Sequence, residues 1–137
     1  MTGNIPSKFP HLLPPDTPCW QRFLSAHQSE YLSFDYDVRV GFGRPVGDEF
    51  DDAMKKMAVD LSQRRIDAVG FKADHIEIFE VTRLAGLKAI GQLITYPILY
   101  RMTYHPTLPL IPHLITEKID TDLDIVYRTI QALISIT

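Results

Sequence analysis

Two acidic residues, Asp67 and Glu80, occupy neighbouring segments whose composition predicts β-strands, residues 65–71 and 75–82. Because side chains alternate along a strand, Glu80 shares a face with apolar residues and with Thr82. A carboxylate on an apolar face needs a hydrogen-bond, ionic or metal partner. If the two strands pair as a hairpin, Asp67 can face Glu80, and the two would form an oxygen-rich pocket suited to Mg²⁺ or Mn²⁺.

The elements around these strands are predicted from apolar spacing, which is three to four residues in helices and two in strands. The predicted order is helix, strand, inserted helix, strand, strand, helix, strand, helix. Tyr36, Val38 and Val40 are expected on one face of the first strand, and Pro97 is expected to kink or end the third helix. The predicted helices are 20–34, 49–63, 84–100 and 121–133, and the predicted strands are 35–42, 65–71, 75–82 and 110–116.

The composition predicts one globular domain, residues 19–137, preceded by a proline-rich arm, residues 1–18. Cys19 is the single cysteine, so an intrachain disulfide is excluded and a cytoplasmic location is expected. No secretory leader and no membrane segment is predicted. The formal net charge of −3 argues against a strongly basic nucleic-acid-binding surface but allows local cations around an acidic cleft.

The arm is expected to be extended, because proline is excluded from helix interiors and from central strands. Such a segment can reach a neighbouring protein or pack on the protein's own surface, and in the first case its prolines are candidate partner-binding residues. They are Pro6, Pro10, Pro14 and Pro15.

Residues 65–100 resemble the PD-(D/E)xK nuclease superfamily. The resemblance rests on Asp67 in Arg-Ile-Asp-Ala-Val, on Glu80-Val81-Thr82 in place of acid-x-lysine, and on the Gly-Gln-Leu segment of the next helix. It implies an α/β (α+β) fold with a restriction-endonuclease-like αβββαβ core, whose mixed central sheet is flanked by helices. The chain would add one inserted helix and a C-terminal helix to that core.

The resemblance also implies site roles. Asp67, Glu80 and the Val81 carbonyl would bind Mg²⁺ or Mn²⁺, and Gln92 would point into the site. Thr82 departs from the family pattern, because a hydroxyl cannot stabilise developing negative charge as a lysine does. Lys88 is the candidate displaced cation, since it lies four residues before Gln92 on the same helical face.

Each of these residues has a structural alternative. Asp67 could pair with Arg65, Glu80 could accept hydrogen bonds from Gln92 as the remnant of a site, and Lys88 could be a solvated surface lysine. Glu30 could supply a further metal ligand, but a solvent-facing glutamate is the favoured interpretation. None of the five histidines is assigned to catalysis.

Two functions are therefore weighed, and the first is narrowly favoured. It is a nuclease-fold protein with a degenerate site that acts as a structural or adaptor component of an assembly, such as a phage virion or head-tail complex. It predicts protein partners reached through the arm. The second is a Mg²⁺-dependent DNA endonuclease or exonuclease that uses Lys88.

Overall fold

The computed structural model describes residue 12 and residues 14–137, which form a mixed α/β fold with four α-helices and a five-stranded mixed sheet. The helices are α1 (Thr17–His27), α2 (Asp52–Ser62), α3 (Leu87–Tyr104) and α4 (Asp124–Thr129). The strands are β1 (Ser33–Val40), β2 (Arg64–Phe71), β3 (Ile76–Val81), β4 (Leu84–Ala85), β5 (Leu110–Thr116), β6 (Lys118–Ile119) and β7 (Leu133–Ile136).

The large sheet has the order β1-β2-β3-β5-β7. Strand β2 is antiparallel to both of its neighbours, β1 and β3, whereas β5 is parallel to β3 and β7 is parallel to β5. Short strands β4 and β6 form a separate parallel pair. The central strand β3 is buried along its whole length, as expected for a strand that is covered on both faces.

Two apolar clusters cover the two faces of the sheet. On one face, Trp20 and Phe23 of α1 pack against Phe79, with Trp20 and Phe79 in an edge-to-face contact at 5.0 Å between ring centroids. On the other face, Tyr96 and Tyr100 of α3 belong to a cluster with buried aliphatic residues of β1, β2 and β3. The sheet is thus the middle layer between α1 and α3.

Helix α1 differs from its predicted bounds at both ends. It begins at Thr17, with Pro18 in its first turn, and it ends at His27 before a 3₁₀ turn. Phe34, predicted in the helix, lies in β1 and still packs on Trp20. The apolar spacing continued past the helix because the turn and the strand supply residues to the same cluster.

The prediction that Tyr36, Val38 and Val40 share one face of β1 is wrong. Tyr36 packs in the α1 cluster, whereas Val38 and Val40 pack in the α3 cluster. The switch occurs at Asp37, whose φ of 52° lies in the left-handed region. A single residue in that conformation interrupts the alternation of side chains along a strand.

The third and fourth helices also differ from prediction. Helix α3 starts three residues later than predicted and continues beyond Pro97 to Tyr104, so Pro97 does not end it. The predicted helix 121–133 is a 3₁₀ turn followed by the short α4, which ends before Gln131 at a φ of 59°. Leu133 instead begins β7, an unpredicted edge strand.

Candidate functional site

A pocket of about 460 Å³ opens at the C-terminal end of β3, between the start of α1 and the start of α3. It contains Asp67 and Glu80, and thus brings together the two acids singled out from the sequence. Strand β3, the N-terminal turns of α3 and the segment before α1 supply most of the wall. Its lining residues include Asp16, Arg65, Asp67, Glu80, Thr82 and Lys88.

Asp67 lies at an irregularity in the sheet. The β1–β2 register passes from Tyr36–Ala68 to Val38–Ile66 and skips Asp67 together with Asp37. The freed side chain of Asp67 accepts a hydrogen bond from the Val81 backbone N–H at 2.9 Å. The pairs on either side keep the same register, so no residue is inserted, and only the position of Asp37 and Asp67 lacks regular pairing.

The Asp67 and Glu80 carboxyl groups share a hydrogen bond, and the pKa of each is raised. Burial is the largest cause for Asp67, whose pKa reaches about 7 although the Val81 N–H opposes the rise. Burial, followed by the negative charge of Asp67, raises the pKa of Glu80 well above its usual value. Two adjacent carboxylates in a dry site cannot both ionise cheaply unless a cation joins them.

Gln92 reaches Glu80 from α3. With its side-chain amide oriented to satisfy both neighbours, it donates to Glu80 Oε1 at 2.9 Å and accepts from the Tyr96 hydroxyl at 3.3 Å. The structure therefore places Gln92 at the site and holds the Glu80 carboxyl in one orientation. This donor satisfies only part of the hydrogen-bonding and charge-pairing requirement of a buried carboxylate.

Lys88 lines the same pocket from the first turns of α3. Within the described residues it forms no ion pair at 4.0 Å or less, yet its charge lowers the pKa of both Asp67 and Glu80. The ammonium group is thus near the carboxylates and free to meet an anion. Thr82 also lines the pocket and donates its hydroxyl to the Leu84 carbonyl at 3.3 Å.

The donor set fits a magnesium-type ion more closely than a zinc site. In the described part of the chain, no group of three or more His, Cys, Asp or Glu side chains is arranged to hold a metal. Mg²⁺ needs only one or two carboxylates, because water and substrate phosphate oxygens complete its coordination. Asp67 and Glu80, with the Val81 carbonyl, supply that minimum.

Other predicted contacts are placed elsewhere. Arg65 pairs with Asp37 at 3.3 Å rather than with Asp67. Glu30 is exposed and pairs with His27 at 2.6 Å. It does not line the pocket that contains Asp67 and Glu80. Of the four prolines predicted to bind a partner, Pro6 and Pro10 lie outside the described residues, and the exposed Pro14 and Pro15 form a turn before α1.

Asp16 is a site residue that the sequence analysis missed, because it falls in the segment assigned to the arm. Its Oδ1 accepts a hydrogen bond from the Arg83 backbone N–H at 2.7 Å, which fixes it beside β3. Its negative charge contributes to the raised pKa of both Asp67 and Glu80. A third carboxylate adds negative charge to the pocket, and this charge favours the binding of a cation.

A second buried carboxylate, Glu77, was also missed. It lies on the opposite face of β3 and is only 1% exposed. Its Oε1 accepts from the Tyr31 hydroxyl at 2.7 Å and contacts His113 Nδ1 at 2.6 Å, and its Oε2 contacts His75 Nε2 at 2.8 Å. Alternation along β3 had assigned Glu77 to the face opposite Glu80, but it did not reveal that this face is also buried.

Hydrogen bonds explain the ionisation of Glu77. Burial alone would raise its pKa, but hydrogen bonds from His113, Tyr31 and His75 outweigh burial and lower the pKa to about 2. The network continues from His113 Nε2 to the Ser135 hydroxyl at 2.8 Å on β7. It therefore ties the sheet from β3 through β5 to the edge strand.

Compared with protein-family models, with curated proteins and with solved structures, the chain matches none of them. No described helix combines the length and the apolar character needed to cross a membrane. The site geometry is therefore the basis for a functional conclusion.

Proposed function

We propose that the chain is a divalent-metal-dependent nuclease of the PD-(D/E)xK type, in which Lys88 replaces the missing motif lysine. One observation carries the proposal: two carboxyl groups with raised pKa share a hydrogen bond in a pocket that also contains an unpaired lysine. That combination favours binding of a cation together with an anionic substrate.

The fold supports this choice of family. The order α1, β1, β2, β3, α3, β5 follows the αβββαβ order of the restriction-endonuclease-like core, with α2 as the inserted helix. The acids lie on β2 and β3, and Gln92 lies on the following helix, as in the family pattern. Fold resemblance alone does not establish an activity, so the chemistry has to be tested at the site.

The proposed roles follow from the positions of the side chains. Asp67, Glu80 and the Val81 carbonyl would hold the ion, which would supply the polarisation of a phosphodiester and a lower pKa for an attacking water. Gln92 keeps the Glu80 carboxyl oriented toward the pocket. Lys88, free of an internal ion pair, stabilises negative charge that develops on the phosphate.

The first test is metal binding. We expect calorimetric titration with Mn²⁺ to show a site in the wild-type protein, and Glu80→Gln to abolish it, because the variant retains shape but loses a charged ligand. Glu49→Gln is a matched control, since Glu49 is exposed and lies outside the pocket. Absence of Mn²⁺ binding by the folded wild-type protein would refute the proposal.

The second test is cleavage of labelled single-stranded and duplex DNA in Mg²⁺ or Mn²⁺. We expect Lys88→Gln to slow cleavage by about 10²-fold, as expected when a charge-stabilising donor is removed, and to retain Mn²⁺ binding. Lys56→Gln removes a surface lysine that pairs with Asp60, outside the pocket, and should cleave normally. Equal rates for Lys88→Gln and wild type would exclude Lys88 as the displaced cation.

A structural or adaptor role is the second candidate, and one observation favours it. Lys88 forms no direct ion pair with either carboxylate among the described residues, and the carboxyl groups can satisfy one another by sharing a proton. A remnant site would have these properties. In that case Mn²⁺ would not bind, and removal of residues 1–15 would abolish association with a protein partner, such as a component of a phage particle.

A further inference from the structure

Two more cavities adjoin the candidate metal pocket and extend it across the α3 face of the molecule. One has a volume of about 610 Å³ and shares Lys88 and Gln92 with the metal pocket. The next, of about 290 Å³, shares Ser62 and Arg64 with the first. Because consecutive cavities share wall residues, they lie next to one another in a row from the carboxylates to the loop after β1. We call these two adjoining cavities the basic groove.

The basic groove is lined by cations without internal counter-ions. Lys88, Arg64 and Arg44 contribute to its walls, and no described lining residue of either cavity is acidic. Within the described part of the chain, none of the three cations forms an ion pair at 4.0 Å or less. In a chain with a formal net charge of −3, this local row of free cations favours a phosphate backbone as ligand.

An exposed aromatic residue stands at the far end of the groove. Phe42 lines the last cavity and is 78% exposed, although its backbone is fixed on both sides. The Gly41 N–H donates to Thr103 Oγ1 at 2.9 Å, and the Gly41 carbonyl accepts from Gln63 Nε2 at 2.7 Å. Gly43 has a φ of 68° and lies so close to α2 that a Cβ atom on Gly43 would clash with the backbone carbonyl of Val59 in that helix. An anchored, exposed ring is a platform on which a nucleic-acid base can stack.

The exposed aromatic platform favours a single strand over a duplex. In a duplex the bases are paired and stacked inside the helix, so a base can stack on Phe42 only when its strand is unpaired. Three cations, Lys88, Arg64 and Arg44, line the groove beside this platform. The basic groove is therefore suited to one strand.

We propose that the basic groove binds a single strand of nucleic acid, with its phosphates on Arg64 and Arg44 and a base stacked on Phe42, and leads it to the carboxylate pair. This inference rests on the proposed nuclease function and adds the form of its substrate. It assigns a role to Arg44 and Phe42, which lie away from the metal pocket.

The test measures binding of a fluorescein-labelled 15-nucleotide oligothymidylate by anisotropy in EDTA, so that neither cleavage nor metal binding contributes. We expect Arg44→Ala/Arg64→Ala to weaken binding at least tenfold at low salt. The dependence of log affinity on log salt should become shallower by about 1.4, since about 0.7 is lost for each single-strand phosphate contact. Phe42→Ala should weaken binding roughly fivefold or more through lost stacking.

Arg128→Ala is the matched control, because Arg128 is exposed on α4 and lines none of the three cavities. It should bind the oligonucleotide like wild type. A 15-base-pair duplex should bind at least fivefold more weakly than the single strand. Circular dichroism of each variant checks that the fold is retained, which is expected because the replaced side chains are exposed.

The outcomes separate this inference from the proposed function. If Mn²⁺ binds and DNA is cut, but groove variants bind the oligonucleotide like wild type, the groove assignment is wrong and the nuclease function stands. A duplex bound more tightly than the single strand would also overturn the inference. If Mn²⁺ does not bind and wild type does not bind the oligonucleotide, both fail. Weakened strand binding with unchanged Mn²⁺ binding in the groove variants supports the inference.

Discussion

Glu77 and Glu80 lie three residues apart on β3, face opposite sides of the sheet and are almost equally buried, at 1% and 8% exposure. Their chemistry is opposite. Donors from Tyr31, His113 and His75 lower the pKa of Glu77 to about 2, whereas burial and the neighbouring Asp67 raise the pKa of Glu80. Burial by itself therefore does not distinguish a structural carboxylate from a functional one. The supply of donors does.

The Glu77 region is complete without a ligand, and the Glu80 region is not. Lys72 adds a cation at 3.6 Å from Glu77, so the charge on that side is both hydrogen-bonded and paired. Besides the hydrogen bond that it shares with the acidic Asp67, Glu80 accepts from Gln92, and Asp16 adds a further negative charge nearby. This difference is why we propose a metal ion for one face of β3 and a structural role for the other.

The largest expected effect is on stability when Glu77 loses its charge. Glu77→Gln should lower the free energy of unfolding by about 4 kcal/mol at pH 7, because it breaks a buried charged network. Urea unfolding followed by circular dichroism measures the change. Asp74→Asn is the control, since Asp74 is exposed and contacts the same His75. A loss below 1 kcal/mol for Glu77→Gln would show that the network is not stabilising.

The second prediction concerns acid pH. The pKa of Glu77 is about 2 in the folded state and near 4.5 when unfolded, so its ionisation stabilises the fold above pH 4.5. That contribution is lost as the pH falls from 4.5 to 2, and it amounts to about 3 kcal/mol. Urea unfolding of wild type and Glu77→Gln at several pH values should show their difference shrinking over this range. A constant difference would contradict the assigned pKa.

The third prediction is that Glu80→Gln, unlike Glu77→Gln, raises the free energy of unfolding. The folded-state pKa of Glu80 is raised, so the unfolded chain ionises first as the pH rises above 4.5, and the metal-free fold loses stability. A neutral glutamine removes that cost, and we expect the free energy of unfolding of the variant to exceed that of wild type at pH 8 in EDTA. Urea unfolding in EDTA measures it, with Glu49→Gln as an unchanged control. A destabilised Glu80→Gln variant would remove the contrast between the two faces.

The smallest effect is expected at the end of the Glu77 network. Ser135→Ala removes the hydroxyl that contacts His113 Nε2, and the loss of one hydrogen bond should cost about 1 kcal/mol. Urea unfolding is the measurement. Ser25→Ala is the control, since the exposed Ser25 hydroxyl bonds only to its own helix at the Gln21 carbonyl. No change at Ser135 would confine the network to β3, β5 and the segments that contact Glu77.

Much of the arrangement of the pocket around Asp67 and Glu80 can be predicted from the spacing of residues along single strands and helices. Alternation on β3 places Glu80 on the face that α3 covers, and the four-residue spacing of Lys88 and Gln92 puts both at the same pocket. These are short-range geometric relations, so a sequence is enough to predict them. The order of the elements up to β5 was predicted for the same reason, except that the two residues of β4, Leu84 and Ala85, were assigned to the helix that follows.

Other features depend on contacts between distant segments. Asp37 breaks the alternation of β1 through its left-handed backbone, and β7 is a strand because β5 offers it an edge. The partners of Glu77 come from residues 31, 75 and 113, and only folding brings them together. Asp16 joins the pocket because Arg83 N–H holds it there.

The sequence by itself determined which residues are the candidates for the site and which strands and helix present them, since side-chain periodicity is local. The tertiary structure decided the state of each carboxylate. Glu77 and Glu80 are the same residue type on one strand, and only the groups packed against each face make one a satisfied structural anion and the other a candidate metal ligand. Ionisation depends on through-space donors and charges, which a linear pattern does not contain.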